Sequence, residues 1–207
     1  MSILRNVAGV CAAGLFIAQA AYAAIPSPLA LLRPPGAGQP EHFDSRCIRC
    51  GRCIEACPYQ AISAAPFDTH QAAGTPMITA RIQACRLCED FPCAQSCPTK
   101  ALEVPEARDK AAMGTAVINE DTCLSFQGMR CEVCYRACPL IDEAIVIDYR
   151  QREGDSIHAL FTPQVIDDVC PGCGLCEQRC PVEDPAPAII VVPQGINQEA
   201  YLAQRNS

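Results

Sequence analysis

Tryptophan is absent from this 207-residue chain and aromatic residues make up only 5% of it, so the large rings that anchor many small cores are missing. Positive charge is short as well. Sixteen Lys and Arg against 23 Asp and Glu leave a net charge of -7, which excludes the basic face that nucleic acid requires. No G-x-G-x-x-G or P-loop occurs. The three histidines, His42, His70 and His158, have no neighbouring Ser, Cys or carboxylate pattern of the kind that supports nucleophilic or acid/base catalysis. They read as solvated surface residues, no catalytic residue is assigned, and an electron carrier is expected rather than an enzyme.

What is abundant is cysteine and proline. Apolar residues are 50% of the chain, which argues against disorder, but 18 prolines and the scarcity of aromatics leave a thin aliphatic core. Seventeen cysteines, about 8% of the residues, supply the alternative staple. Sixteen of them fall into four packets: Cys47, Cys50, Cys53, Cys57; Cys85, Cys88, Cys93, Cys97; Cys123, Cys131, Cys134, Cys138; and Cys170, Cys173, Cys176, Cys180. Each packet ends in x3-C-P. The first and fourth have the C-x2-C-x2-C-x3-C-P spacing of bacterial ferredoxins, the second widens its middle gap to four residues, and the third widens its first gap to seven.

The spacing suits a cubane [4Fe-4S] cluster, which needs one thiolate at each of four irons. Three cysteines on a tight loop wrap three corners, and the cysteine before proline reaches across to a second cluster, so packets work in pairs. Four packets predict four [4Fe-4S] clusters in two pairs, with all sixteen cysteines as iron ligands. Zinc would use two separated C-x2-C pairs without a third Cys or the recurrent C-P. A disulfide framework is disfavoured because cysteines this close in sequence pair badly. Cys11, within an apolar leader, reads as inert filler. Four oxidised sites, each near -2 with its thiolates, would add about -8 to the chain and favour basic partners overall.

First cysteines recur at 47, 85, 123 and 170, with linkers that read as hairpins. The runs Val117-Ile118 and Ile145-Val146-Ile147 predict short strands, Gly114 and Gly154 predict turns, and "CIEACP" predicts a short helix closed by Pro58. The expected fold class is α+β, a ferredoxin-like polyferredoxin of two double-cluster modules with short strands, short helices and long loops. The expected organisation is a signal peptide or N-terminal anchor over 1–23, a Pro/Gly-rich extended arm over 24–40, the four-cluster domain over 41–193, and a tail over 194–207. The leader reading rests on Arg5, the apolar stretch from Val7 to Ala18, and "AYA" at Ala21 to Ala23.

The motifs "LRPPGA" (Leu32 to Ala37), "CIRCGRCIEACPY", "GTP" (Gly74 to Pro76), "CEDFPCAQSCP", "MGTAV" and "GMRCEVCYRACPLIDEAI" (Gly128 to Ile145) resemble the NapG/MauM family of ferredoxin-type proteins, on the NapG side more than the MauM side. The resemblance implies periplasmic electron transfer toward periplasmic nitrate reductase. It implies as partners an integral-membrane polyferredoxin that oxidises quinol and a downstream cytochrome or the reductase itself. Membrane association would then come through a partner or an uncleaved leader at the outer face of the inner membrane. Alternatives are a MauM-like role in methylamine oxidation and a maturation factor for a periplasmic redox enzyme.

Such a family exports its clusters folded, yet no twin-arginine box is visible. "SILR" at Ser2 to Arg5 matches the second half of R-R-x-F-L-K, which places the missing arginines at and before Met1. By likeness to four-cluster subunits of molybdenum oxidoreductases, nested pairing is preferred: Cys47, Cys50 and Cys53 with Cys180, and Cys57 crossing to the fourth packet. Sequential pairing remains open on loop lengths.

Overall fold

The computed structural model describes residues 30–152, 154, 159–184 and 186–205. The expected leader, Cys11 and His158 lie outside these residues. Among the described residues no helix is long and apolar enough to cross a membrane.

The packets repeat as a structural unit. After a first helix, α1 (Pro40–Arg46), each packet turns into a helix of four or five residues over its third cysteine: α2 (Arg52–Glu55), α3 (Pro92–Gln95), α4 (Val133–Ala137) and α5 (Leu175–Arg179). They are short because every packet ends in Cys-Pro, and the ring of proline crowds α-helical backbone in the residue before it. Cys138 and Cys180 accordingly swing to ψ 126 as their helices end.

The strands are β1 (Ser63–Ala64), β2 (Pro76–Met77), β3 (Gly114–Ile118), β4 (Ile145–Gln151), β5 (Ala159–Val165) and β6 (Ile189–Pro193). Among the described residues they form three two-stranded antiparallel ribbons, β1 with β2, β4 with β5 and β3 with β6. The linkers after packets one and three are therefore hairpins, as expected, and Gly154 takes a positive φ of 75. The linker after packet two is not. Its strand β3 pairs instead with β6 beyond the fourth packet, so Gly114 is not a turn residue but the first residue of a strand. A Cβ there would collide with the Val192 carbonyl, so its absence allows the two backbones to close.

The ends are more structured than an arm and a tail. Pro34 and Pro35 are fully buried, Leu32 and Ala37 are buried, and the Ile78 N–H donates to the Leu32 carbonyl at 2.8 Å. Residues 32–37 thus pack into the core, with a turn at Pro35 and Gly36. In the expected tail, α6 (Gln198–Arg205) buries Tyr201 against Ile190 and Val192.

The core is built of small residues and sulfur. Phe43, Phe91, Leu87 and Met113 are its largest buried apolar side chains, and they sit among alanines and the buried cysteines Cys53, Cys85, Cys93, Cys123, Cys134, Cys173, Cys176 and Cys180. Such a core offers little aliphatic area of its own.

Candidate iron–sulfur sites

Helix α2 packs on α3 and α4 packs on α5, which brings consecutive packets face to face. One cavity is lined by Cys47, Cys50 and Cys53 of the first packet together with Cys97 of the second. A second cavity collects Cys123, Cys131, Cys134 and Cys180, and a third collects Cys138, Cys170, Cys173 and Cys176. The remaining four come together by elimination and by electrostatics. The Cys57 sulfur lies close enough to Cys85, Cys88 and Cys93 to raise all three thiols.

This geometry corrects the nested pairing. Packet one exchanges its last cysteine with packet two, and packet three with packet four. The cause is the hairpins: β1–β2 and β4–β5 fold the chain back within each module, whereas β3 carries it out of one module into the other. The short link from Cys97 to Cys123 does not close a module, because it is spent on strand β3.

The donor sets fit a cluster better than a single ion. Among the described residues no three His, Cys, Asp or Glu side chains converge on one ion-sized point. A tetrahedral zinc site with bonds near 2.3 Å would require such convergence, while a cubane holds its thiolates around a wider body. Backbone amides are aimed at the sulfurs as well. Ala61 N–H donates to Cys57 Sγ at 3.3 Å, Leu102 N–H to Cys97 Sγ at 3.4 Å, Leu87 N–H to Cys85 Sγ at 3.5 Å and Ala116 N–H to Cys170 Sγ at 3.5 Å. Such bonds stabilise thiolate and tune cluster potential.

Burial dominates the thiols. Loss of water raises Cys53 and Cys85 to about 11 and Cys93, Cys134 and Cys173 to about 12, with neighbouring cysteines adding to the shift. Cys176 is likewise pushed well above the usual thiol range by burial, with Cys173, Cys170 and Cys134 adding to it. Cys97 goes the other way: burial still pushes it up, but the Leu102 amide and Thr99 outweigh that and lower it overall. Sulfur anions this deep require compensating positive charge, which iron supplies.

Sequence reasoning missed Glu177. It is 2% exposed, accepts from Val191 N–H at 2.8 Å and from Arg205 Nη2 at 2.9 Å, and directly follows Cys176. The signal was available in register: the residue after the third cysteine is Ile54, Ala94 and Tyr135 in the other packets, so a carboxylate enters an otherwise apolar slot. Also missed was Arg81, whose Nη1 donates to the carbonyls of Glu177 at 2.8 Å and Cys180 at 2.9 Å, closing the end of α5. Of the histidines, His42 is exposed and lies 3.6 Å from Glu103, in keeping with a surface role.

The comparisons agree with this division. The 4Fe-4S dicluster domain matches residues 46–101, which hold all eight cysteines of packets one and two, and again 128–183, which hold all those of packets three and four except Cys123. The chain is 44% identical to the ferredoxin-type protein NapG of Escherichia coli over 186 residues, covering 89% of this chain and 80% of that protein. It is 40% identical over 179 residues to the methylamine utilization ferredoxin-type protein MauM of Methylorubrum extorquens, covering 84% and 80%. The ferredoxin-type protein NapF of Escherichia coli matches at 30% over 151 residues, 73% of this chain and 80% of that one. Two dicluster domains and sixteen framework cysteines provide for four [4Fe-4S] clusters, and the chain belongs to the NapG/MauM family of ferredoxin-type iron–sulfur proteins.

Proposed function

We propose that the four sites form a single relay, in the spatial order of the Cys47, Cys85, Cys170 and Cys123 packets. When bound, each cluster supplies one-electron redox chemistry. Ligand sets are assigned as Cys47, Cys50, Cys53 and Cys97; Cys85, Cys88, Cys93 and Cys57; Cys170, Cys173, Cys176 and Cys138; and Cys123, Cys131, Cys134 and Cys180. The order rests on adjacency of sulfurs between sites: Cys53 bears on Cys93, Cys85 on Cys173, and Cys134 on Cys176.

The observation that carries the reading is the contact between modules. Cys85 N–H donates to Cys173 O at 3.0 Å, so one ligand of each inner site touches through backbone. Around it Gly174 packs on Ala80 and Ala84, and Gln178 Nε2 donates to Ile82 O at 2.8 Å. Two unconnected ferredoxin modules would not need so close a junction.

By kinship with NapG, the relay takes electrons from a quinol-oxidising integral-membrane polyferredoxin and passes them toward a cytochrome or periplasmic nitrate reductase, working in the periplasm as part of a quinol dehydrogenase complex. Deletion of the gene in its host is the test: respiratory nitrate reduction with quinol as donor should fall and recover on complementation. Unchanged nitrate reduction with loss of growth on methylamine would transfer the role to the pathway named for the MauM relatives. Unchanged electron flow with failure of a client enzyme to acquire its cofactor would make the protein a maturation factor.

A further inference from the structure

The net charge of -7 suggests basic partners for the molecule as a whole. Its local distribution does not. In the seven residues 46–52 of the first packet, Arg46, Arg49 and Arg52 occur with no acidic residue, and all three are exposed. Arg49 and Arg52 line the same cavity as the Cys47 ligand set. Between them stands Cys50, the one exposed cysteine among the described residues, beside Ile48 at 63% exposure. Arg46 is engaged at 3.5 Å with Glu103, but its side chain remains 44% exposed. At the far end of the relay the charge is mixed: exposed Glu120 and Asp121 precede Cys123, while Arg130 and Arg136 share Glu132 beside Cys131 and Cys134.

We propose that the exposed face around Cys50 is a docking surface for an acidic redox protein, one whose accessible prosthetic group is rimmed by carboxylates. The inference rests on the relay reading, which makes the Cys47 site a terminal one. Two features coincide on this face and on neither inner site. Cys50 is the exposed member of its set, which shortens the path for one electron to leave or enter, and Arg49 and Arg52 line the same cavity with Arg46 exposed nearby in sequence. Guanidinium groups in a fixed rim recognise carboxylates in a bidentate manner and steer encounter. Ile48 gives the centre an apolar contact that excludes water, the arrangement expected of a small transient interface. At the Cys123 end the arginines Arg130 and Arg136 are paired with Glu132 and stand near Glu120 and Asp121, so an acidic partner is favoured at the Cys50 face over that end. In each encounter one electron passes between the terminal site and the partner's group; one centre is oxidised as the other is reduced, with no atom transferred.

The test uses holoprotein and an acidic flavodoxin, labelled with nitrogen-15, as probe. Amide shifts of the flavodoxin report binding, and paramagnetic broadening near its flavin reports the approach of a cluster. The expected result is saturable binding at low salt that weakens steeply as ionic strength rises to about 0.2 M, where charges more than about 7 to 8 Å apart are screened. The triple variant R46Q/R49Q/R52Q should bind at least tenfold more weakly, Arg52→Gln alone several-fold more weakly, and R130Q at the other end as tightly as the natural chain. Iron content, measured on every sample, guards against loss of the site itself; if the triple variant fails to load, Arg52→Gln decides. Equal affinity for the natural chain and the loaded arginine variants would overturn the proposal. So would binding only to phosphatidylglycerol vesicles, or head-to-tail self-association in place of flavodoxin binding. Amide shifts without broadening would place the flavodoxin away from the Cys50 face and overturn the proposal as well, whereas arginine-dependent broadening with no magnetic interaction between clusters of different modules would leave the docking surface standing and contradict the relay reading.

Discussion

The Cys85 amide donates to the Cys173 carbonyl at 3.0 Å, tying the second packet to the fourth across the boundary between modules. The junction closes because Gly174 has no side chain. At φ +83 it adopts left-handed backbone, and a Cβ on it would run into that of Ala80. Gly174→Val should cost about 2–4 kcal/mol, combining overpacking with backbone strain, and should loosen the modules. Denaturant melts of the holoprotein measure the first effect, and weakened magnetic interaction between clusters of different modules, seen by electron paramagnetic resonance, measures the second.

Exchange of the fourth cysteine within each module gives a sharper test. Cys57→Ala should remove the site of Cys85, Cys88 and Cys93 while its own packet keeps a complete set with Cys97. Iron should fall by about one quarter. Loss of signals from the fourth packet in that variant would restore the nested arrangement.

The buried Glu177 carboxylate depends on Arg205 from the C-terminal helix. Arg205→Ala leaves that charge uncompensated and should destabilise the holoprotein by about 2–3 kcal/mol, toward the low end for a broken buried pair because the Arg205 side chain is 27% exposed. Glu177→Gln should cost less, about 1 kcal/mol, since an amide oxygen still accepts from Val191 N–H. Chemical denaturation of both variants against the parent tests the ranking; equal losses would show that helix docking, not charge, sets the effect.

Cluster retention should depend on pH with a defined sign. Burial holds Cys53 and Cys85 at about 11 and Cys93, Cys134 and Cys173 at about 12, so in the metal-free chain these are neutral thiols near neutrality. Each must lose a proton to ligate iron, and cluster binding therefore tightens as pH rises and weakens as it falls, with no plateau over about pH 6 to 9. Competition with an iron chelator at several pH values reads this directly. The same core, poor in aliphatic bulk, should lose cooperative melting once iron is removed, as followed by circular dichroism.

Much of this was legible in the residues. The third cysteine of each packet falls on a helix, and the C-P that ends each helix is local chemistry, readable from a few adjacent positions. The hairpins after Cys57 and Cys138 followed from their turn and strand signals. Pairing was not legible, because the strand Gly114–Ile118 carries the same pattern whether it closes a hairpin or joins Ile189–Pro193 far along the chain. Nor was the burial of Pro34 and Pro35: proline-rich composition describes an extended backbone and does not state what that backbone packs against. The arginine rim at 46–52 was written in sequence but hidden by an overall acidic sum.

The central claim is four [4Fe-4S] clusters on sixteen cysteines, one set in each of four sites. Anaerobic purification followed by quantification of iron, acid-labile sulfide and zinc on the same sample tests it most directly. The account predicts about sixteen iron and about sixteen sulfide per chain with negligible zinc. Stoichiometric zinc without sulfide, or a fully disulfide-bonded chain free of iron, would contradict it.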